Sequence, residues 1–489
     1  MRRPPPLARG PVLAAIITLV VVLTATSGRY GYHRDELYFR MLRPAWGYVD
    51  QPPFTPLLAH LVASAVDEVW ALRMAATLMA AGSVVVVTLV TRELDGGRAA
   101  QTLCAWGYAF ATVPLLFGHV LLTATADLLV WPAVSLFVVR ALLRAEPRWW
   151  LAAGAVAGLS TFNKLLVGLL VLSLVAGLLV AGPRRPLISR WFVGGALVAL
   201  VLASPQIAYQ ATHAWPQLSM AQALSDNNSG DVRILMWPFL AVMLGVPLVP
   251  IWLAGLVALL RRPGWRPARF LVPAFAVLLV LTFVGGGQVY YPFGLLAVLW
   301  AAGCVPAADR MSRSTRWRRA TVTAVALNGL VSSVVALPLL PLSVLGDTPV
   351  PAINQATRDQ VGWPVYVRQV ADVVRSLPAS ERSRAALIAS NYGEAGALAR
   401  YGPPLGTTRV ASGQNSLHDQ TRPPDDADVA VVVGGQLPAV QQLFASCHVM
   451  ARLDNGVGVE NEEQGQPVAV CRGPVAPWSQ LWPRFQHFD

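Results

Sequence analysis

Long apolar runs alternate with short polar connections as far as about residue 343, and then the pattern changes. The runs cover 11–27, 70–91, 98–117, 126–143, 149–162, 165–182, 191–210, 234–260, 268–284, 289–306 and 320–343. An α-helix needs about 20 apolar residues to cross a ~30 Å hydrocarbon core, so the pattern predicts eleven spans. The stretch 149–181 is interrupted only by Asn163-Lys164. As one helix it would run about 50 Å, which is too long. The reading is two short, incomplete helices with Asn163-Lys164 at an outer turn. The first run is expected to be retained. Its flank Thr24-Ala25-Thr26-Ser27 is small enough for cleavage, but the residues after it read as functional and membrane-proximal.

Beyond residue 344 the period shortens. Ala385–Ala389, Asp428–Val433 and Val468–Arg472 read as strands, and Pro438–Ala445 as helix, with Gly and Pro between them. The expected organisation is an α-helical polytopic membrane domain over 1–344, with a long first outer loop at 28–69. A small extracytoplasmic α/β domain follows at 345–489.

Composition agrees with a membrane protein. The chain is 55% hydrophobic and 13% charged, with a mean hydropathy of +0.50. A soluble protein of this size carries about 25% charged residues, and a disordered one lacks the apolar content. Residues 1–344 hold 27 Lys+Arg and 12 Asp+Glu; residues 345–489 hold 11 and 14, which together give the net +12. The basic residues therefore belong to the membrane half. They fall in clusters at Arg2, Arg3 and Arg9; Arg92 and Arg98; Arg140, Arg144 and Arg148; Arg184, Arg185 and Arg190; Arg261 to Arg269; and Arg310 to Arg319. Every second connection is basic, which is the positive-inside pattern and not a nucleic-acid footprint. It predicts a cytoplasmic N-terminus and an exported C-terminal region. Cys104 and Cys304 lie in apolar runs and read as packing residues. Cys447 and Cys471 lie in the exported region and are expected to pair.

Candidate chemistry concentrates in the first outer loop. It carries Arg34-Asp35-Glu36-Leu37-Tyr38-Phe39 and Gly47-Tyr48-Val49-Asp50-Gln51-Pro52-Pro53. Such a loop suits a substrate with a lipid tail and an anionic head. Asp35 and Glu36 point about 100° apart on a helix, so one faces a site and the other supports the loop; the alternative is a solvated or capping pair. Asp50 reads either as a helix cap before Pro52-Pro53 or as a site residue. Arg73 begins the second span, at a site or snorkelling to the interface. Asp127 begins the fourth span, as an intramembrane functional acid, a cap, or both. Lys164 is the only lysine of the chain. A compact ammonium at the membrane edge suits a phosphate, whereas a snorkelling lysine is the alternative. Gly285-Gly286-Gly287-Gln288-Val289-Tyr290-Tyr291 forms an outer turn whose backbone allows close approach. Phosphate loops, zinc motifs and dinucleotide fingerprints are missing from the sequence, and the 7 His are scattered, so no His-rich metal site is expected.

These motifs resemble the GT-C class of bacterial membrane glycosyltransferases, in the PMT_2 group (family 39) related to dolichyl-phosphate-mannose protein mannosyltransferases and aminoarabinose transferases. The resemblance rests on the two first-loop motifs. It extends through Ala71-Leu72-Arg73, Thr125-Ala126-Asp127, Asn163-Lys164, Tyr290-Tyr291 and Asn391-Tyr392-Gly393-Glu394-Ala395-Gly396, and so covers almost the whole chain. It implies transfer of a hexosyl or pentosyl unit from a polyprenyl-phosphate donor to an extracytoplasmic protein, lipid or cell-envelope glycan, at the bacterial cytoplasmic membrane. In the family Asp35 corresponds to the base or acceptor-positioning acid, with Glu36 beside it. Asp127 is a second site acid and Lys164 a residue near the lipid phosphate. Arg34, Tyr38, Asp50, Gln51, Arg73, Lys164, Gln288, Tyr290 and Tyr291 are the substrate-binding candidates. The family often has Lys where this chain has Gln288, which shifts phosphate binding toward Lys164 or Arg34. Direct displacement with inversion needs one base. Metal dependence is left open, because paired acids could hold a divalent cation, and no other cofactor is implied. The expected partners are donor, acceptor and membrane lipids, with no nucleic acid. The competing class is a lipid-linked-sugar flippase. It would call for corresponding broken helices in two halves; the hydropathy pattern predicts none, and the acids cluster on one side. A non-catalytic scaffold with a sensory outer domain would leave the first-loop motif unexplained.

Overall fold

The computed structural model describes residues 4–407 and 409–488. Arg2 and Arg3, counted above toward the N-terminal basic cluster, lie outside the described residues. Fifteen helices run from the start of the chain: α1 (Arg9–Thr26), α2 (Arg34–Met41), α3 (Phe54–Ala65), α4 (Val69–Glu93), α5 (Arg98–Ala109), α6 (Thr112–His119), α7 (Thr123–Leu143), α8 (Trp149–Ser160), α9 (Val167–Ala181), α10 (Arg190–Thr212), α11 (Pro216–Val242), α12 (Val249–Arg261), α13 (Leu271–Gly285), α14 (Phe293–Arg313) and α15 (Thr315–Ala336).

Among the described residues seven helical stretches are long and apolar enough to span a membrane, and two bent pairs bring the number to nine. Two expected single spans are therefore broken, where the hydropathy pattern predicts no broken helices. The run 98–117 bends by 54° between α5 and α6, and the run 234–260 bends by 71° before α12. The second bend has a clear cause. Gly245 adopts φ +106, which other residues avoid, and Asn328 Nδ2 donates to the Leu244 carbonyl at 2.9 Å. At the first bend the Val113 N–H is taken up by the Met243 carbonyl at 3.0 Å. Helices α8 and α9 have 12 and 15 residues, or about 18 and 22 Å, short of a full crossing. They are the two short helices expected on either side of Asn163-Lys164.

The chain divides into two compact units, 1–27 with 73–337, and 28–72 with 338–489. This differs from the expected boundary at 344, because the first loop belongs with the C-terminal region. In the membrane unit, α14 is buried on every face from Phe293 to Val305 and serves as its central helix. Glu93, buried at the end of α4, accepts from Arg140 Nε at 2.9 Å and Arg144 Nε at 3.0 Å. Two arginines of the basic connections thus also hold helix ends together.

The second unit holds a five-stranded sheet of order β2-β1-β3-β5-β4. Its strands are β1 (Ala385–Ala389), β2 (Val410–Ser412), β3 (Val429–Val433), β4 (Phe444–Arg452) and β5 (Pro467–Pro474). β1 pairs in parallel with β2 and β3, while β3, β5 and β4 are antiparallel. Pro438–Ala445 departs from expectation: the helical turn ends at Val440, a 3₁₀ turn follows, and β4 starts at Phe444. Cys447 and Cys471 stand opposite each other on β4 and β5 and form a disulfide. Cys104 and Cys304 are free and buried.

Candidate active site

Two groups of site candidates emerge, one in each unit. The first is built on α2. Its N-terminus is closed by a capping box in which His33 Nδ1 accepts from the Asp35 N–H at 3.1 Å and Glu36 Oε2 accepts from the His33 N–H at 2.8 Å. Glu36 is fully buried in that cap. The two adjacent acids differ in place: Glu36 closes the cap, and Asp35 keeps a side chain that is 27% exposed. The Tyr392 hydroxyl donates to Asp35 Oδ1 at 3.1 Å. Arg34 forms an ion pair with Glu462 and lies 4.6 Å from the centre of the Tyr392 ring.

This arrangement depends on the helix Tyr392–Tyr401 lying directly against α2. At Gly396 an added Cβ would come within 2.6 Å of the Leu37 carbonyl, so only glycine permits the approach. The same helix starts with its own capping box, Asn391 accepting from the Glu394 N–H at 2.8 Å. Tyr38 stacks on Tyr392 with ring centres 4.7 Å apart and donates its hydroxyl to Asp50 Oδ1 at 3.0 Å. Asp50 is therefore not the cap of α3, whose N-terminus has no side-chain cap. Burial pushes its carboxyl up to about 7, partly offset by the Tyr38 hydrogen bond. Gln51 is buried; its backbone carbonyl accepts from the Tyr48 N–H at 2.9 Å, and its side-chain Nε2 has no hydrogen-bond partner among the described residues. Behind α2, burial also raises Asp359 and Glu394 and pushes Glu463 up to about 7.

The second group belongs to the membrane unit. Asp127 sits in the second turn of α7 and does not cap it; the Thr125 hydroxyl accepts from the Leu122 N–H instead, at 3.0 Å. Asp127, Trp131, Tyr290 and Tyr291 line one pocket. Lys164 does not snorkel outward. Its Nζ donates to the Tyr290 hydroxyl at 3.2 Å and lies 5.4 and 5.2 Å from the ring centres of Tyr290 and Tyr291. Asn163 fixes the turn that presents it, donating to the Thr123 carbonyl at 2.8 Å. Gln288 is half-buried in the turn before α14, where its carbonyl accepts from the Tyr291 N–H at 3.2 Å. Arg73 is fully buried, donates to the Ser27 carbonyl at 2.7 Å and lies 3.1 Å from His119 Nε2. It ties helix ends together inside the unit, in place of the interfacial position considered for it.

Among the described residues no three His, Cys, Asp or Glu side chains converge to hold a metal ion, so the donor set for a divalent cation is thin. Tyr392 enters the sequence reading only as part of the Asn391–Gly396 stretch and not as a site residue, and Trp131 does not enter it. The Asn391-x-x-Glu394 spacing is a readable helix-start signature, but it does not reveal that the tyrosine inside it reaches Asp35.

Comparison with known proteins bears on the fold. Residues 50–209 match the PMT_2 family, dolichyl-phosphate-mannose-protein mannosyltransferase. No curated protein sequence matches the chain. The structure is similar to ArnT from Cupriavidus metallidurans bound to undecaprenyl phosphate, with TM-score 0.61 and 17% identity over 94% of this chain and 97% of that one. The apo state of ArnT gives 0.59 and 17%, over 94% and 98%. Arabinofuranosyltransferase AftD from Mycobacteria gives 0.52 and 14%, over 94% of this chain and 40% of that one. The PMT_2 match thus lies within residues 50–209, and the fold of this multi-pass membrane protein is similar to that of ArnT over 94% of the chain.

Proposed function

We propose that the chain transfers a sugar from a polyprenyl-phosphate donor to an acceptor outside the cytoplasm, with inversion, and that Asp35 is the base. The observation that carries this reading is the partly exposed Asp35 carboxylate on a rigidly capped helix start, steadied by Tyr392, while its neighbour Glu36 is consumed by the cap. In the reaction an acceptor oxygen attacks the anomeric carbon as the carbon–oxygen bond to phosphate breaks. Polyprenyl phosphate leaves with the electron pair, and the acceptor proton passes to Asp35. The leaving phosphate needs a cation and no proton. Lys164 is assigned that role, with Tyr290 and Tyr291 orienting its ammonium and Asp127 lining the same pocket as the two tyrosines. No step is assigned to a metal ion.

The similarity to ArnT in its undecaprenyl-phosphate complex supports a polyprenyl-phosphate donor. The alternation of arginine-rich connections supports an extracytoplasmic acceptor. A flippase would need neither a base nor a cation aimed at a leaving group. The test is transfer by purified protein from a synthetic polyprenyl-phosphate sugar, with Asp35→Asn alongside. Loss of a general base costs roughly 10²–10⁴-fold in turnover. Asp35→Asn should bind donor and fail to transfer; turnover near the wild-type rate would remove Asp35 from this role.

A further inference from the structure

We propose that Tyr392 is a positioning residue for Asp35, so that the C-terminal region supplies a working part of the transfer site. The inference rests on the function proposed above and deepens it. The Tyr392 hydroxyl donates to Asp35 Oδ1 at 3.1 Å from 357 residues away in the chain. Its ring is held on two sides, by the Arg34 guanidinium 4.6 Å from its centre and by the Tyr38 ring at 4.7 Å. Its backbone is held as well, since the Tyr392 N–H donates to Gln414 Oε1 at 2.6 Å and the Asn391–Glu394 capping box fixes the helix start. The hydroxyl therefore has little freedom, and it is spent on one carboxylate oxygen.

A phenol donating to a carboxylate engages one oxygen, fixes the plane of the group and leaves the other oxygen for an incoming hydroxyl. His33 Nδ1, 3.9 Å from Asp35 Oδ1, lies toward the same engaged oxygen.

Tyr392→Phe removes only the hydroxyl and keeps the ring between Arg34 and Tyr38. We expect turnover to fall about tenfold and donor KM to stay within about twofold. Because Tyr392 acts through Asp35, adding Tyr392→Phe to Asp35→Asn should slow the enzyme by no more than about twofold further. Wild-type turnover in Tyr392→Phe would overturn the proposal. So would a rate loss that multiplies in full on the Asp35→Asn background. A readout free of turnover separates this idea from the function it rests on. The Asp35 carboxyl band, taken at one pH as the infrared difference from the matching Asp35→Asn protein, should change frequency in Tyr392→Phe even if no sugar transfer is found, because one oxygen loses a donated hydrogen bond. An unmoved band overturns the proposal whatever the enzyme does.

Discussion

Lys164 donates to the Tyr290 hydroxyl at 3.2 Å, and its ammonium lies 5.2 Å from the centre of the Tyr291 ring. The only lysine of the chain is thus fitted to an aromatic corner, where a point charge sits better than a planar fork. Lys164→Ala should weaken donor binding about tenfold to hundredfold, the range for one hydrogen bond to a charged group. Lys164→Arg should recover only part of that, and Tyr290→Phe should cost less than Lys164→Ala. Donor affinity is measured by titration with a polyprenyl phosphate. Unchanged affinity in Lys164→Ala would detach this residue from the donor.

The two adjacent acids of the first loop should separate cleanly. Glu36 accepts from the His33 N–H at 2.8 Å inside a capping box, a task that glutamine also performs. Glu36→Gln should keep turnover within a few-fold. Glu36→Ala should lower the stability of the loop by about 1 kcal/mol or more, read as a lower melting temperature. Asp35→Asn should do the reverse, keeping the melting temperature and losing turnover. If Glu36→Gln abolishes transfer while Asp35→Asn does not, the roles are exchanged.

Which parts of this were legible in sequence follows from range. The apolar periods are local, and so are the eleven runs and the strands β1, β3 and β5. The helix break at Gly245 is invisible to hydropathy, because it depends on a positive φ and on Asn328 some eighty residues away. Strand β4 was missed because it lies at the sheet edge with most of its side chains partly or fully exposed, so it lacks the buried apolar run of β3. The 100° offset of Asp35 and Glu36 announces different roles but does not say which acid is buried. That is decided by His33, an uncommon cap residue, and by Tyr392 from the far end of the chain. The domain boundary failed for the same reason: the first loop packs with 338–489, and nothing in its own composition says so.

Orientation has a direct check. By the positive-inside rule the arginine-rich connections predict that residues 345–489 lie outside, in a compartment where the Cys447–Cys471 disulfide would persist. A reporter active only after export, fused after Gly346, should be active. Both thiols should resist labelling until reduced, and reduction should cost the domain up to ~3 kcal/mol. Reporter activity confined to the cytoplasm would invert the layout, together with the side on which the acceptor is met.

The buried carboxyls of the second unit make its stability depend on pH in an unusual direction. Asp50 has an ordinary value of 3.8 and is pushed up to about 7 by burial; Glu463 moves from 4.5 to about 7 for the same reason. Between the ordinary and the raised values the folded unit holds protons that the unfolded chain has released. Stability from these groups is therefore fully present at about pH 4 and is lost as the pH rises through about 7. A paired surface carboxylate would give the opposite slope. Asp50→Asn is neutral at every pH and still offers an oxygen to the Tyr38 hydroxyl, which now stands 3.0 Å from Oδ1. Glu463→Gln is likewise neutral and can still accept from Asn391 Nδ2, now at 3.2 Å. Melting temperatures of wild type, both single variants and the double variant at pH 4.5 and 7 decide the matter. The wild type should lose more stability than either variant on going to pH 7, and the double variant should have the flattest profile. If all four proteins show the same change between the two pH values, these carboxyls are ionised in the folded unit and the hydrogen bond from Tyr38 is made to a charged Asp50.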